Sequence, residues 1–185
     1  MPAAGTSAMA DAVADSLHAW HDFYLLIGTA SATLVGLLFV AASIGAAYFT
    51  TEREAGLRAF LTPTVLHFTA IVVTCLVLMV PSHDRASLCA SLLAIAAIGL
   101  GYSGTVWLRM RRRGFSATID LADRIWYVLT PVASYLLMVA AAILLVQGPG
   151  GALEVLAGAL VLLLLLGIRN AWDMTVWITL HSPSK

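Results

Sequence analysis

The sequence predicts an all-α fold, an integral membrane bundle of five transmembrane helices with the N-terminus outside and the C-terminus in the cytoplasm. Three observations carry that expectation. Composition is the first: 61% of the 185 residues are hydrophobic and 11% charged, with a mean hydropathy of +0.92, far from soluble averages. The second is the spacing of charges. Between Asp22 and Glu52 lie 29 residues without Asp, Glu, Lys or Arg, and further gaps run for 25 residues (Arg58 to Asp84), 23 (Arg85 to Arg109) and 29 (Arg124 to Glu154). Each exceeds the roughly 20 residues a helix needs to cross about 30 Å of hydrocarbon. The third is the side on which the cations fall. With five spans, Arg53, Arg58, Arg109, Arg111, Arg112, Arg113, Arg124, Arg169 and Lys185 share one side and Arg85 stands alone on the other. Lys and Arg concentrate on the cytoplasmic side, which sets the orientation.

A fifth gap, Glu154 to Arg169, spans only 14 residues, a length that equally suits a buried or re-entrant helix. Without that crossing Arg169 and Lys185 would change sides and the nine-to-one split would fall to seven against three, so five spans remain the better reading. The domain reading is an extracytoplasmic segment at 1–22, one transmembrane domain at 23–180 and a cytoplasmic tail at 181–185. The spans fall at about 23–49, 59–80, 86–107, 125–146 and 152–172. Net charge is zero, so the overall balance points to no nucleic-acid or acidic partner.

The N-terminal segment carries Asp11, Asp15 and Asp22 but no Lys or Arg. It lacks the basic start and short apolar core of a secretory signal and is expected to stay on the protein. Residues 8–21 suit a short amphipathic helix, with Met9, Val13, Leu17 and Trp20 on one side. His18 and His21, together with His83 of the next outer loop, are the candidates for a three-His metal site. Titrating surface histidines are the preferred reading, and no cofactor is expected.

Span 1, "FYLLIGTASATLVGLLFVAASIGAAYF", sets Gly28, Ala32 and Gly36 four apart. Small side chains let helix backbones approach closely where lipid supplies no hydrophobic drive. The expectation is a central helix packed within the chain, with a homo-oligomer seam as the alternative; span 3 repeats the feature at Ala97, Gly101 and Thr105. The first half of the chain, from "WHDFYLLIGTASATLVGLLFVAAS" through an Arg-bearing connection to "LMVP", resembles a group of small uncharacterised bacterial multi-pass inner-membrane proteins. Gly28, Ala30 to Ala32, Gly36 to Leu37, Phe39 to Ala41 and Ser43 carry the likeness. Some of that group are labelled modulators of a membrane protease. The resemblance implies a bacterial inner-membrane protein and no catalytic site.

Span 2 is expected to begin at the capping box Thr51-Glu52-Arg53-Glu54, which puts Pro63 inside the helix as a kink. Leu129-Thr130-Pro131 echoes Leu61-Thr62-Pro63, so Pro131 is the matching candidate in span 4, and paired interrupted helices can mark a transport site. His67, one turn beyond Pro63, should face protein or water rather than lipid. With Thr64, Tyr102, Thr105, Ser134 and Tyr135 at similar depth, it forms a candidate polar vestibule, to which Arg169 and Asp173 of span 5 belong by depth. The plainer reading is hydrogen bonding between helices. Arg169 and Asp173 are i,i+4 partners near the cytoplasmic headgroups, with Trp172 and Trp177 as belt residues.

Cys75 and Cys89 read as free thiols on the outer side, and Gly148-Pro149-Gly150-Gly151 as a tight outer turn. The run Arg109, Arg111, Arg112, Arg113 reads first as an orientation signal and second as a patch for anionic lipid. The nucleophile, zinc, phosphate-loop and dithiol motifs of enzymes are missing. The sequence therefore favours a non-catalytic structural, accessory or regulatory protein that binds itself or another membrane protein. The alternative is an oligomeric ion channel or small-solute transporter using His67.

Overall fold

The computed structural model describes residues 15–46, 51–80, 84–112, 125–148 and 150–180. These residues are all-α. Helix α1 is His21–Ala46, α2 Thr51–Leu78 and α3 Arg85–Arg112. Helix α4, Thr130–Gln147, is entered through one π-helical turn, Ile125–Leu129, and α5 is Ala152–Leu180. Helices satisfy their backbone polar groups internally, which a hydrocarbon solvent demands. Four segments are long and apolar enough to cross a membrane: His21–Ser43, Arg85–Leu108, Trp126–Gln147 and Ala152–Val176. In α2 the apolar segment among the described residues, Thr62–Leu78, is shorter. The segment with the shortest charge-free gap thus forms one of the long helices, because the pair Arg169 and Asp173 does not interrupt its winding.

Helix α5 packs along α4 and α2, and α4 packs along α3. A lighter contact between α2 and α3 closes this four-helix ring and makes their seam its loosest side. Helix α1 lies outside the ring, chiefly against α2. Half of the α5 span is buried and only 17% of the α1 span, so the expected central role of span 1 belongs to α5.

The helices meet where a glycine lets an aromatic or sulfur side chain reach the opposing backbone. A Cβ on Gly28 would lie 2.9 Å from that of Cys75, which seats α1 on α2. The Phe68 ring of α2 occupies the space above Gly167 of α5, and the Tyr135 ring of α4 lies directly on Gly99 of α3. By contrast, a Cβ on Gly36 or Gly101 would meet nothing within 4 Å, and Ala32 is exposed. Of the four small residues assigned to packing, Gly28 alone packs inside the chain. Four-residue spacing marks a face suited to close approach, but does not say which face meets a neighbour.

Helix α2 runs from Thr51, so Pro63 sits inside it. Pro131 instead occupies the first turn of α4, directly after the π turn. A widened turn accommodates a residue that has no N–H to give and whose ring crowds the carbonyl four residues back. The echo between the two Thr-Pro sites therefore does not extend to their structural roles.

Ahead of α1, residues 15–19 form a helical turn, and Leu17 and Trp20 pack partly buried against the core. Trp20 meets Phe23 edge-on at 5.4 Å, and the Tyr24 hydroxyl donates to the Leu153 carbonyl at 2.8 Å, tying α1 to the start of α5. Met9 and Val13 lie outside the described residues. Gly151 has φ +78°, a left-handed conformation that makes glycine necessary in the α4–α5 turn. Asp84 caps α3: its Oδ1 accepts from the Ser87 amide at 3.1 Å, and the Ser87 hydroxyl donates back to the Asp84 carbonyl at 2.9 Å.

Gly99→Ala and Gly167→Ala should each cost about 1–3 kcal/mol by overpacking, whereas Gly101→Ala should be close to neutral. Unfolding the three variants in mixed micelles with increasing SDS measures the difference. Hydrogen bonds from the Ser87 hydroxyl and amide hold the Asp84 carboxyl below its usual range. Its cap is therefore present above the ordinary aspartate pKa and lost as pH falls through the depressed value. The amide protection of Ser87, corrected for intrinsic exchange, should decline over that acid range, and Asp84→Ala should abolish the decline.

Candidate functional site

Polar side chains inside a membrane bundle have few partners, and most of those here satisfy themselves first. The hydroxyls of Thr33, Ser43, Thr74, Ser91, Ser103, Ser134 and Thr175 each donate to the carbonyl four residues back on their own helix, at 2.7 to 2.9 Å. Such bonds let a hydroxyl sit in hydrocarbon without a neighbouring helix. Buried polar residues nevertheless gather in the ring interior: Thr64 and His67 on α2, Ser103 on α3, Ser134 and Tyr135 on α4, and Asn170 on α5.

The centre of this layer is a bond between helices. His67 Nδ1 and the Tyr135 hydroxyl lie 3.0 Å apart, both residues being buried, and either can donate according to the imidazole tautomer. Two contacts place that pair: the Tyr135 ring lies against Gly99, and Phe68, next to His67 on α2, sits over Gly167.

The other vestibule candidates separate. Thr64, Ser134 and Tyr135 are buried with His67, whereas Tyr102 is only partly buried and Thr105 is exposed. The Thr105 hydroxyl bonds the Tyr102 carbonyl on its own helix at 2.7 Å. On α3 the buried polar residue is Ser103, one position along from the expected Tyr102. The expectation rested on depth, inferred from the distance to the charged ends, but a helix turns 100° per residue and depth alone does not choose the face.

Arg169 and Asp173 form a separate cluster at the α4–α5 edge. Their Nε and Oδ2 lie 3.7 Å apart, the Tyr127 hydroxyl donates to the same Oδ2 at 2.9 Å, and the Arg169 guanidinium sits 4.8 Å over the Trp126 ring. The π turn that precedes Pro131 carries both aromatic partners. Each side chain is about one-third exposed, so the cluster is a half-solvated anchor. Trp172 beside it is strongly exposed; the Trp177 side chain lies outside the described residues. Asn170, sequence-adjacent to Arg169, turns the other way into the ring and is 2% exposed. Its Oδ1 has no donor among the described residues.

A groove of about 520 Å³ opens along the loose α2–α3 seam. Val65, Thr69 and Val73 form one wall, Ile95 and Ile98 the other, with Tyr135 at its floor and Phe39 of α1 at its rim. Tyr135 is therefore shared by the groove and the buried polar layer. Neither the groove nor its floor was foreseen from sequence, because apolar residues on α2 and α3 look alike whether they meet a helix or an opening. Gly99 was the available signal, since a glycine inside a strongly apolar helix commonly marks a close approach.

Among the described residues no three potential ligands cluster as a metal site. His18 and His21 are exposed, His21 contacts Asp22 at 3.2 Å, and His83 lies outside the described residues. Cys75 and Cys89 are free and buried, with the Cys89 thiol against the Ala142 carbonyl at 3.4 Å. The chain matches no family model, no curated protein and no solved structure. The geometry alone therefore carries the functional reading.

Tyr135→Phe retains the ring on Gly99 and removes only the hydroxyl, while His67→Leu removes the partner. A double-mutant cycle on the two should give a coupling of about 0.6 kcal/mol and no more than about 1.7 kcal/mol, the range of such bonds in membrane bundles. Stability in mixed micelles measures it.

Proposed function

We propose that this protein is a non-catalytic accessory or regulatory subunit that associates, through α1, with a second copy or with another membrane protein. The observation that supports this reading most is the outward face of α1. Thr29, Ala32, Thr33 and Gly36 are all exposed there, and Gly36 has open space where a side chain would stand. Thr33 bonds its own helix at 2.9 Å, so its hydroxyl asks nothing of a neighbour, and the four side chains are small. Those are the properties that let one transmembrane helix approach another.

In this reading the chain crosses a bacterial inner membrane five times, with the N-terminus outside and the Arg-rich loops in the cytoplasm. The four long apolar helices, together with α2 in the same ring, support that topology. A second reading, conduction of a small polar solute by an oligomer, draws support from the orphaned Asn170 oxygen within the buried polar layer. It requires the layer to open toward one end of the ring, and Asn170→Leu would then abolish flux into liposomes.

Gly36→Leu separates assembly from folding, because a Cβ at this position meets no described atom within 4 Å. Native mass spectrometry from mild detergent should show the wild-type chain in a complex, and the variant as a single chain of 19.6 kDa. The variant should unfold at the wild-type SDS concentration. A complex that survives Gly36→Leu, or a wild-type chain that is always solitary, would remove α1 as the seam.

A further inference from the structure

We propose that the ring interior binds one water molecule that donates to Oδ1 of Asn170, at the level of Thr64, Ser103 and Pro131. Asn170 is 2% exposed, and its Oδ1 has no donor among the described residues. A buried acceptor left unmet is costly, and ordered water is the usual partner of such groups. Contacts between the helices fix what shares its depth. Successive helices of the ring run antiparallel: Cys89 meets Ala142 and Gly99 meets Tyr135 along α3 and α4, and Tyr127 meets Asp173 beyond the short α4–α5 turn. Phe68 of α2 sits over Gly167 of α5, so one turn toward the start of α2 and the end of α5 sets Thr64 level with Asn170. The Tyr135 ring lies on Gly99, so one turn back along α4 and forward along α3 sets Pro131 level with Ser103. The bond between His67 and Tyr135 brings the two pairs to one depth, and all four residues are buried.

The chemistry of this level identifies the guest. Pro131 has no N–H to offer. The Ser103 hydroxyl commits its proton to the Gly99 carbonyl at 2.8 Å and keeps its lone pairs, so it too is an acceptor here. One turn nearer the start of α2, Pro63 frees the carbonyl of Ala59. Acceptors are therefore in surplus, and the guest must be a hydrogen-bond donor. Ordered water is among the groups that satisfy backbone freed by proline in membrane helices. A cationic donor would need a buried counter-charge. The carboxylate one turn along α5, Asp173, is already engaged by Tyr127 and Arg169, so the guest is neutral. Water is small enough for a level closed by buried side chains, and it carries two protons, one for Oδ1 and one for a second acceptor. The site needs neither the α1 seam nor solute flux, since a ring that conducts nothing still holds this guest.

The test is X-ray radiolysis of the full chain in nanodiscs, with oxidation read residue by residue by mass spectrometry. Hydroxyl radicals form from water where it stands, so a buried methionine is oxidised only when water lies beside it. Met174 follows Asn170 by one turn on the same face of α5 and is 3% exposed. Met138, 0% exposed, lies nearly one turn beyond Tyr135, on the other side of the polar layer. The wild type should oxidise Met174 and spare Met138. Asn170→Leu, similar in volume, should lower the Met174 signal severalfold. Asn170→Asp keeps an oxygen in the same place and should retain most of it. Circular dichroism and unfolding in SDS check that both variants fold. Background oxidation of both methionines in the wild type would overturn the proposal, whatever becomes of the variants. An undiminished Met174 signal in folded Asn170→Leu would do the same, because the water would then reach Met174 from bulk solvent.

Discussion

Tyr135 lying on Gly99 is the contact on which the rest of this structure depends. It joins α4 to α3 by seating the ring where Gly99 has no side chain, and it brings the phenol hydroxyl to 3.0 Å from Nδ1 of His67 on α2. One side chain thereby links three helices, closes the buried polar layer and floors the lateral groove. Phe68 over Gly167 does the corresponding work between α2 and α5. Lipid tails are as apolar as leucine, so helices in a membrane gain little from hiding hydrophobic surface. They gain from close packing, and here that packing is aromatic against glycine.

The same solvent explains how the polar residues are arranged. Seven hydroxyls bond the carbonyl one turn back on their own helix, which leaves the bonds between helices to a few larger side chains: Tyr24 to Leu153, His67 with Tyr135, and Tyr127 to Asp173. These tie α1 to the start of α5, α2 to α4, and the π turn before α4 to α5 respectively. Asn170 departs from this economy, with a buried oxygen that no described donor reaches. An unmet buried acceptor is costly, and it is the feature of the ring interior that packing does not account for.

Asymmetry follows from the packing order. Helix α5 is enclosed by α4 and α2, while α1 touches the ring from outside, and the α2–α3 side is held loosely. The molecule consequently offers the bilayer two unlike faces: a smooth one on α1, with room at Gly36, and a hollow one between α2 and α3. The first leaves open space at Gly36 and the second a hollow lined by apolar side chains, so the two faces differ in shape although both are apolar.

Charge-free gaps marked the four long apolar helices, because the length of a bilayer-crossing helix and the cost of a buried charge are properties of the chain and its solvent alone. The pairing of Arg169 with Asp173 and the tight approach at Gly28 were legible as well, each following from position along one helix. What the sequence left open was rotation and neighbourhood. Gly28 and Gly36 belong to one small-residue pattern, yet one meets Cys75 and the other meets nothing; Ser103 turns inward where Tyr102 was expected to. The Thr-Pro pair looked equivalent until a π turn separated Pro131 from Pro63. Hydropathy in lipid is nearly silent about which face of a helix meets protein, since both faces are apolar. Only the assembled ring decided that α5 is central, that Gly99 and Gly167 carry the packing, and that a groove opens above Tyr135.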